Sequence, residues 1–228
     1  MKTIFTFIVL LITATTIAQT NPQPTVNVTG EGIVRVVPDE VTVSVRVENE
    51  GKNAKEIKKE NDRIVNNVLA FVKSMNIEDK YVSTEYIRLN KNYDYNTKTY
   101  NYSANQSLSI KLKDLSKYEA LMNGLLDTGI NRIDGISFSS SKSDSLEAEA
   151  RKKAVANAKM KAEEYVSVLN QTIGKAVSIS EYSSVNNPPQ PIYKMAIMES
   201  DSSAGGQQTL APGEMEIKIM VNISFLLN

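Results

Sequence analysis

The chain contains no histidine and no cysteine in its 228 residues. Those two absences exclude Ser-His-Asp and Cys-His nucleophilic sites, imidazole- or thiolate-bound zinc, and thiol redox chemistry. They also exclude disulfides, so stability has to come from core packing and hydrogen bonding. An excess of one charge sign is missing too. Lysine plus arginine and aspartate plus glutamate number 26 each, which leaves no net field to steer the chain toward nucleic acid or anionic lipid. Catalysis would have to rest on carboxylate, lysine, tyrosine or serine groups, and a calcium site or a carboxylate-pair hydrolase needs nothing more than these. The chain is read as non-enzymatic, with no catalytic residue, cofactor or metal ligand assigned.

Residues 1–18 carry a positive charge at Lys2, an apolar run from Ile4 to Ile12, and small or polar residues up to Ala18. That pattern is a secretory signal peptide with cleavage expected before Gln19, because the apolar run falls short of the roughly 20 residues a membrane-spanning helix needs. The mature chain 19–228 is expected to be periplasmic or secreted, with no transmembrane segment and no cysteine for a lipid anchor. Its length suits a single domain that buries roughly 70% of the surface its unfolded form exposes.

Alternating apolar residues Val26, Val28, Ile33 or Val34, and Val36, then Val41, Val43, Val45 and Val47, flank Pro38 and Asp39 and predict an opening β-hairpin. Asn53 with Glu56 three residues on predicts a helix start, and Ile57, Ile64, Val68, Val72 and Met75 give the helix one core face. Strands follow over 82–89 and 107–112, a short helix over 115–128, and a strand over 133–139. In the third helix Leu146, Ala150, Ala154, Ala158 and Ala162 recur at four-residue steps, so this stripe is expected against the sheet, with Ser143 and Asp144 as caps. Strands over 176–182 and 217–225 close the chain, separated by a long polar loop, 184–213, expected to be mobile. The predicted fold is α+β in the order ββαββαβαββ, with three helices on a mixed or mostly antiparallel sheet.

Six segments together resemble the SIMPL-domain family. They are VNVTGEGIVRVVPDEVTVSVRVE, YVSTEYIRL, NRIDGISF, EARKKAVANAKMKAEEY, GKAVSISEY and PGEMEIKIMVNISF, in that order along the chain. The family is a domain of unknown function that includes periplasmic immunogenic and oxidative-stress-defence proteins. The resemblance implies an envelope location, an α+β fold, a tendency to assemble and a link to stress tolerance. It implies no catalytic residue or cofactor.

Gly30-Glu31-Gly32 lacks the third glycine and the following helix of a dinucleotide fingerprint, so it is read as a bulge or bend in an edge strand. Asp39 and Glu40 are read as turn residues rather than as an acid pair, since neighbours in an extended segment point apart. The segment NKNYDYNTKTYNY is the distinctive surface feature. Folded back around 96–99, it would put Tyr93 and Tyr95 on one face with Tyr100 and Tyr102. Three readings of that face stand open: a subunit interface, a platform for glycans, or a hairpin whose tyrosines only steady each other. Ile192, Tyr193, Met195, Ile197 and Met198 form an apolar patch within the polar loop, read as a partner or assembly contact. The expected partners are further copies of the chain, with an envelope protein or glycan as the alternative.

Overall fold

The computed structural model describes residues 23–182 and 212–228; the expected signal peptide, and all but the last two residues of the expected loop, lie outside them. Ten elements follow in the predicted order. They are β1 (Thr25–Val36), β2 (Glu40–Gly51), α1 (Ala54–Ser74), β3 (Val82–Asp94), β4 (Thr99–Leu112), α2 (Tyr118–Asp127), β5 (Arg132–Ser139), α3 (Ser143–Ser167), β6 (Ile173–Tyr182) and β7 (Met215–Leu227). The fold is α+β, and its strands form two antiparallel sheets, β1-β7-β6 and β3-β4-β2-β5. The described residues sort into two compact units, one of 23–32, 151–182 and 219–228, the other of 33–150 and 212–218.

In the larger unit β2 is the spine. Val41, Val43, Val45 and Val47 are fully buried, and their register sets them beside Leu108, Ile110 and Leu112 of β4. Helix α1 lays Ile64, Val65, Val68 and Val72 on that face, and α2 adds Leu121 and Leu125. Asn53 caps α1 by accepting from the N–H groups of Lys55 and Glu56 at 3.0 and 3.4 Å. At the other end, Asn76 takes a left-handed φ of 58°, its N–H donates to Lys73 O, and the N–H of Ile77 donates to Val72 O. This is a Schellman ending, which spends the last carbonyls of the helix. Asn61 falls on the apolar stripe between Ile57 and Ile64 and is buried. Its amide donates to Val47 O at 3.0 Å and Ala104 O at 3.4 Å, tying helix to sheet.

The opening hairpin is not formed. β1 bonds to β7, whereas β2 lies between β4 and β5. The Pro38–Asp39 segment is a crossing between sheets, held by Asp39, whose carboxylate accepts from the Ser141 N–H at 2.7 Å and its hydroxyl at 2.5 Å. Glu40 is likewise not a turn residue. It opens β2 with a side chain only 4% exposed, paired at 2.6 Å with the Lys111 ammonium.

In the smaller unit α3 covers its sheet through the predicted alanine stripe, in which Ala154, Ala158 and Ala162 are fully buried. The approach is closest at Gly30, where an added Cβ would stand 2.0 Å from Ala154 O and 2.7 Å from the Ala158 Cβ. Gly30 therefore answers to helix contact, and β1 is an edge strand as expected. Polar ties flank it: Asn157 accepts from the Glu31 N–H, and Lys161 donates to Thr29 O, each at 3.0 Å. The expected caps Ser143 and Asp144 lie within α3, and the Ser140 hydroxyl accepts from the Lys142 N–H just ahead of it. No helix among the described residues is long and apolar enough to cross a membrane.

Candidate interaction surface

The tyrosine segment folds as the far end of the β3–β4 hairpin. Tyr93 stands opposite Tyr100 and Lys91 opposite Tyr102, so the odd residues of β3 and the even residues of β4 share a face. The turn is made by Asp94, which accepts from the N–H of Asn96 at 2.9 Å and from the Thr97 hydroxyl at 2.9 Å. Those donors, the Asn96 N–H first, hold its carboxyl below the usual carboxylate range. Lys98 completes the reversal at φ 51°.

Tyr93 is the hub of the aromatic group. Its ring meets Tyr95 edge-on at 5.1 Å and Tyr100 at 5.0 Å. Tyr102 joins through a cation instead, because the Lys91 ammonium lies 4.1 Å from the Tyr100 ring centre and 5.9 Å from that of Tyr102. Three tyrosines are thus brought together directly and the fourth through lysine. Ile192, Tyr193, Met195, Ile197 and Met198 lie outside the described residues.

Sequence reasoning missed the continuation of this face. A register shift between Thr84 and Tyr86 puts Ile87 beside Gln106 and Leu89 beside Ala104, on the side of the sheet that α1 covers elsewhere. Yet Ile87 is 68% and Leu89 50% exposed, and Tyr95 reaches 84%. Ile87, Leu89 and Tyr93 of β3, with Lys91 among them, share one exposed face with Tyr100 of β4, and β3 is an edge of its sheet. The spacing of Ile87, Leu89 and Tyr93 at even steps was the available signal. The opposite face is polar: Tyr86 lies between the guanidinium groups of Arg46 and Arg88, at 5.5 and 5.3 Å.

The groups with chemical potential are largely engaged. Asp39 is taken by Ser141, and Glu40 by Lys111 with the Ser139 hydroxyl at 3.4 Å. A cavity of about 130 Å³ beyond the end of α1 is lined by Tyr81, Lys111, Lys113 and Lys117. The ammonium groups of Lys113 and then Lys80 hold the Tyr81 phenol below its ordinary value.

The model of the SIMPL family, described as a protein of unknown function (DUF541), matches residues 26–225. The chain is 27% identical over 208 residues to the uncharacterized protein YggE of Escherichia coli K12, covering 90% of this chain and 83% of that one. It is 28% identical over 223 residues to the 26 kDa periplasmic immunogenic protein of Brucella melitensis, covering 91% and 86%. The match to YggE of Edwardsiella ictaluri is 25% over 210 residues, covering 90% and 87%. With nearly every described strand and helix inside the matched span, the chain belongs to the SIMPL family.

Proposed function

We propose that this is an exported cell-envelope protein that acts by association rather than catalysis, building a scaffold from its own copies through the hairpin face. The carrying observation is the exposure of Ile87, Leu89, Tyr93 and Tyr100 on one face at a sheet edge, with no described helix or sheet layered over it. Contiguous exposed apolar surface marks interaction sites, and tyrosine supplies contact area at low entropic cost. The periplasmic location rests on the signal-like residues 1–18 and on the name of the Brucella relative. A part in stress tolerance enters only through the family resemblance.

Light scattering on mature 19–228 tests this, with a variant carrying Tyr93→Ser, Tyr95→Ser, Tyr100→Ser and Tyr102→Ser. A defined oligomer that falls to a smaller species in the variant is the expected result. Monomers in both would remove the scaffold and leave the glycan platform, for which a pull-down with peptidoglycan is the direct measurement.

A further inference from the structure

We propose that two copies join along the outer edge of β3, antiparallel, about a two-fold axis at Asn90. This rests on the assembly reading above and names its partner and register.

From Tyr86 to Asp94 every residue of β3 has its partner in β4 without a shift, nine residues in step. On its free side such a run presents about 30 Å of backbone donors and acceptors that no described strand pairs. Proteins usually blunt an edge of this kind with proline, bulges or outward charge. The run has no proline, and its bulge lies ahead of it between Thr84 and Tyr86. Its lysine, Lys91, lies over Tyr100. Two other edges are protected: β5 shifts register against β2, and β6 shifts twice against β7.

Laid against its own reverse, the run gives compatible pairs. With Asn90 on the axis, Ile87 faces the second copy's Tyr93, Leu89 faces Lys91, Arg88 faces Asn92, and Tyr86 faces the Asp94 carboxylate. Aromatic with β-branched is a favourable cross-strand pair. Residues of equal parity meet, so the apolar stripes of the two copies lie on one face and join. Neighbouring registers fit worse. An axis at Arg88 or Lys91 opposes like charges, and an axis at Leu89 sets Ile87 against Lys91 and Tyr93 against the bulge at Glu85. The axis at Asn90 also uses the whole unshifted run.

The absence of cysteine makes the test clean. Mature chains carrying Arg88→Cys, Asn90→Cys or Asn92→Cys are mildly oxidised at equal concentration. Asn90→Cys is expected to form covalent dimer at least ten-fold faster than either neighbour alone, and Arg88→Cys mixed with Asn92→Cys to cross-link as a heterodimer. A nitroxide on Asn90→Cys gives a second readout, spectral broadening that disappears on dilution with unlabelled chain. If wild type is oligomeric but the three positions cross-link alike and the label shows no broadening, this register is wrong while the assembly reading stands. If wild type is monomeric, both fall.

Discussion

Gly30 has no side chain, and α3 lies where one would be. Because the nearest obstacles are the Ala154 carbonyl and the Ala158 N–H at 2.0 and 2.6 Å, a methyl group cannot be relieved by a rotamer change. The helix itself has to move. Gly30→Ala should cost about 3 kcal/mol as an overpacking substitution, and lower the thermal midpoint by about 10 °C for a chain of this size. Gly135 is the control: nothing stands within 4 Å of its added Cβ, so Gly135→Ala should stay within about 0.5 kcal/mol of wild type. Calorimetry on both variants checks the pair, and equal effects would mean that the helix contact is not what selects glycine. At this scale the sequence was ambiguous. A glycine in an alternating run says that something unusual happens, but a bulge and a close helix leave the same mark. The stripe Ala150, Ala154, Ala158 and Ala162 was the missing half of the answer, since small residues on a helix require an equally close neighbour.

Among elements, periodic segments were legible and the order of pairing was not. Helix α1 runs where Asn53 and the spacing from Ile57 to Met75 place it, because capping and a 3.6-residue period are local properties. The hairpin expected at Pro38 failed because proline and aspartate favour a change of direction without specifying which strand comes next. What specifies it is Asp39, whose carboxylate is bonded to Ser141 across 102 residues of sequence. Those bonds, the Ser141 hydroxyl first and its N–H next, hold the Asp39 carboxyl below its ordinary value. The stabilisation is therefore complete above the unfolded value near pH 4 and is lost as pH falls through the lower folded value. Asp39→Asn should be less stable than wild type at pH 6, and the gap in urea midpoint should narrow as pH falls below the unfolded value near 4. A gap independent of pH would show that the charge of the tether contributes nothing.

For the molecule as a whole, stability and association should be linked. If copies bind one another in the folded state only, mass action raises the unfolding midpoint with concentration. We expect the midpoint to climb over a hundred-fold range of wild-type concentration, and to be flat for Ile87→Ser with Leu89→Ser. Both side chains are exposed in the single chain. In the dilute limit the two proteins should therefore melt together, and a variant that melts lower at every concentration would place those residues in the core instead. The tyrosines of this surface were legible because aromatic residues in a polar segment stand out by composition. Ile87 and Leu89 were not, since apolar residues in a strand look the same whether a helix covers them or nothing does.

The irregularity at Glu85 sets which side of the hairpin carries the apolar pair. Ahead of it, the even residues Val82 and Thr84 stand beside Ile110 and Leu108; beyond it, the odd residues Ile87 and Leu89 lie on that side and Tyr86 stands beside Ser107. The hydroxyls of Ser44 and Ser107 reach the Glu85 carboxylate at 3.5 and 3.0 Å, fixing the extra residue in place. Were the alternation of Val82 and Thr84 to run on through Glu85 without this extra residue being set aside, Ile87 and Leu89 would fall on the side of Arg46, and Tyr86 and Arg88 on the apolar side. One bulged residue thus decides which face of this edge is sociable, and the valine spine of β2 is indifferent to the choice.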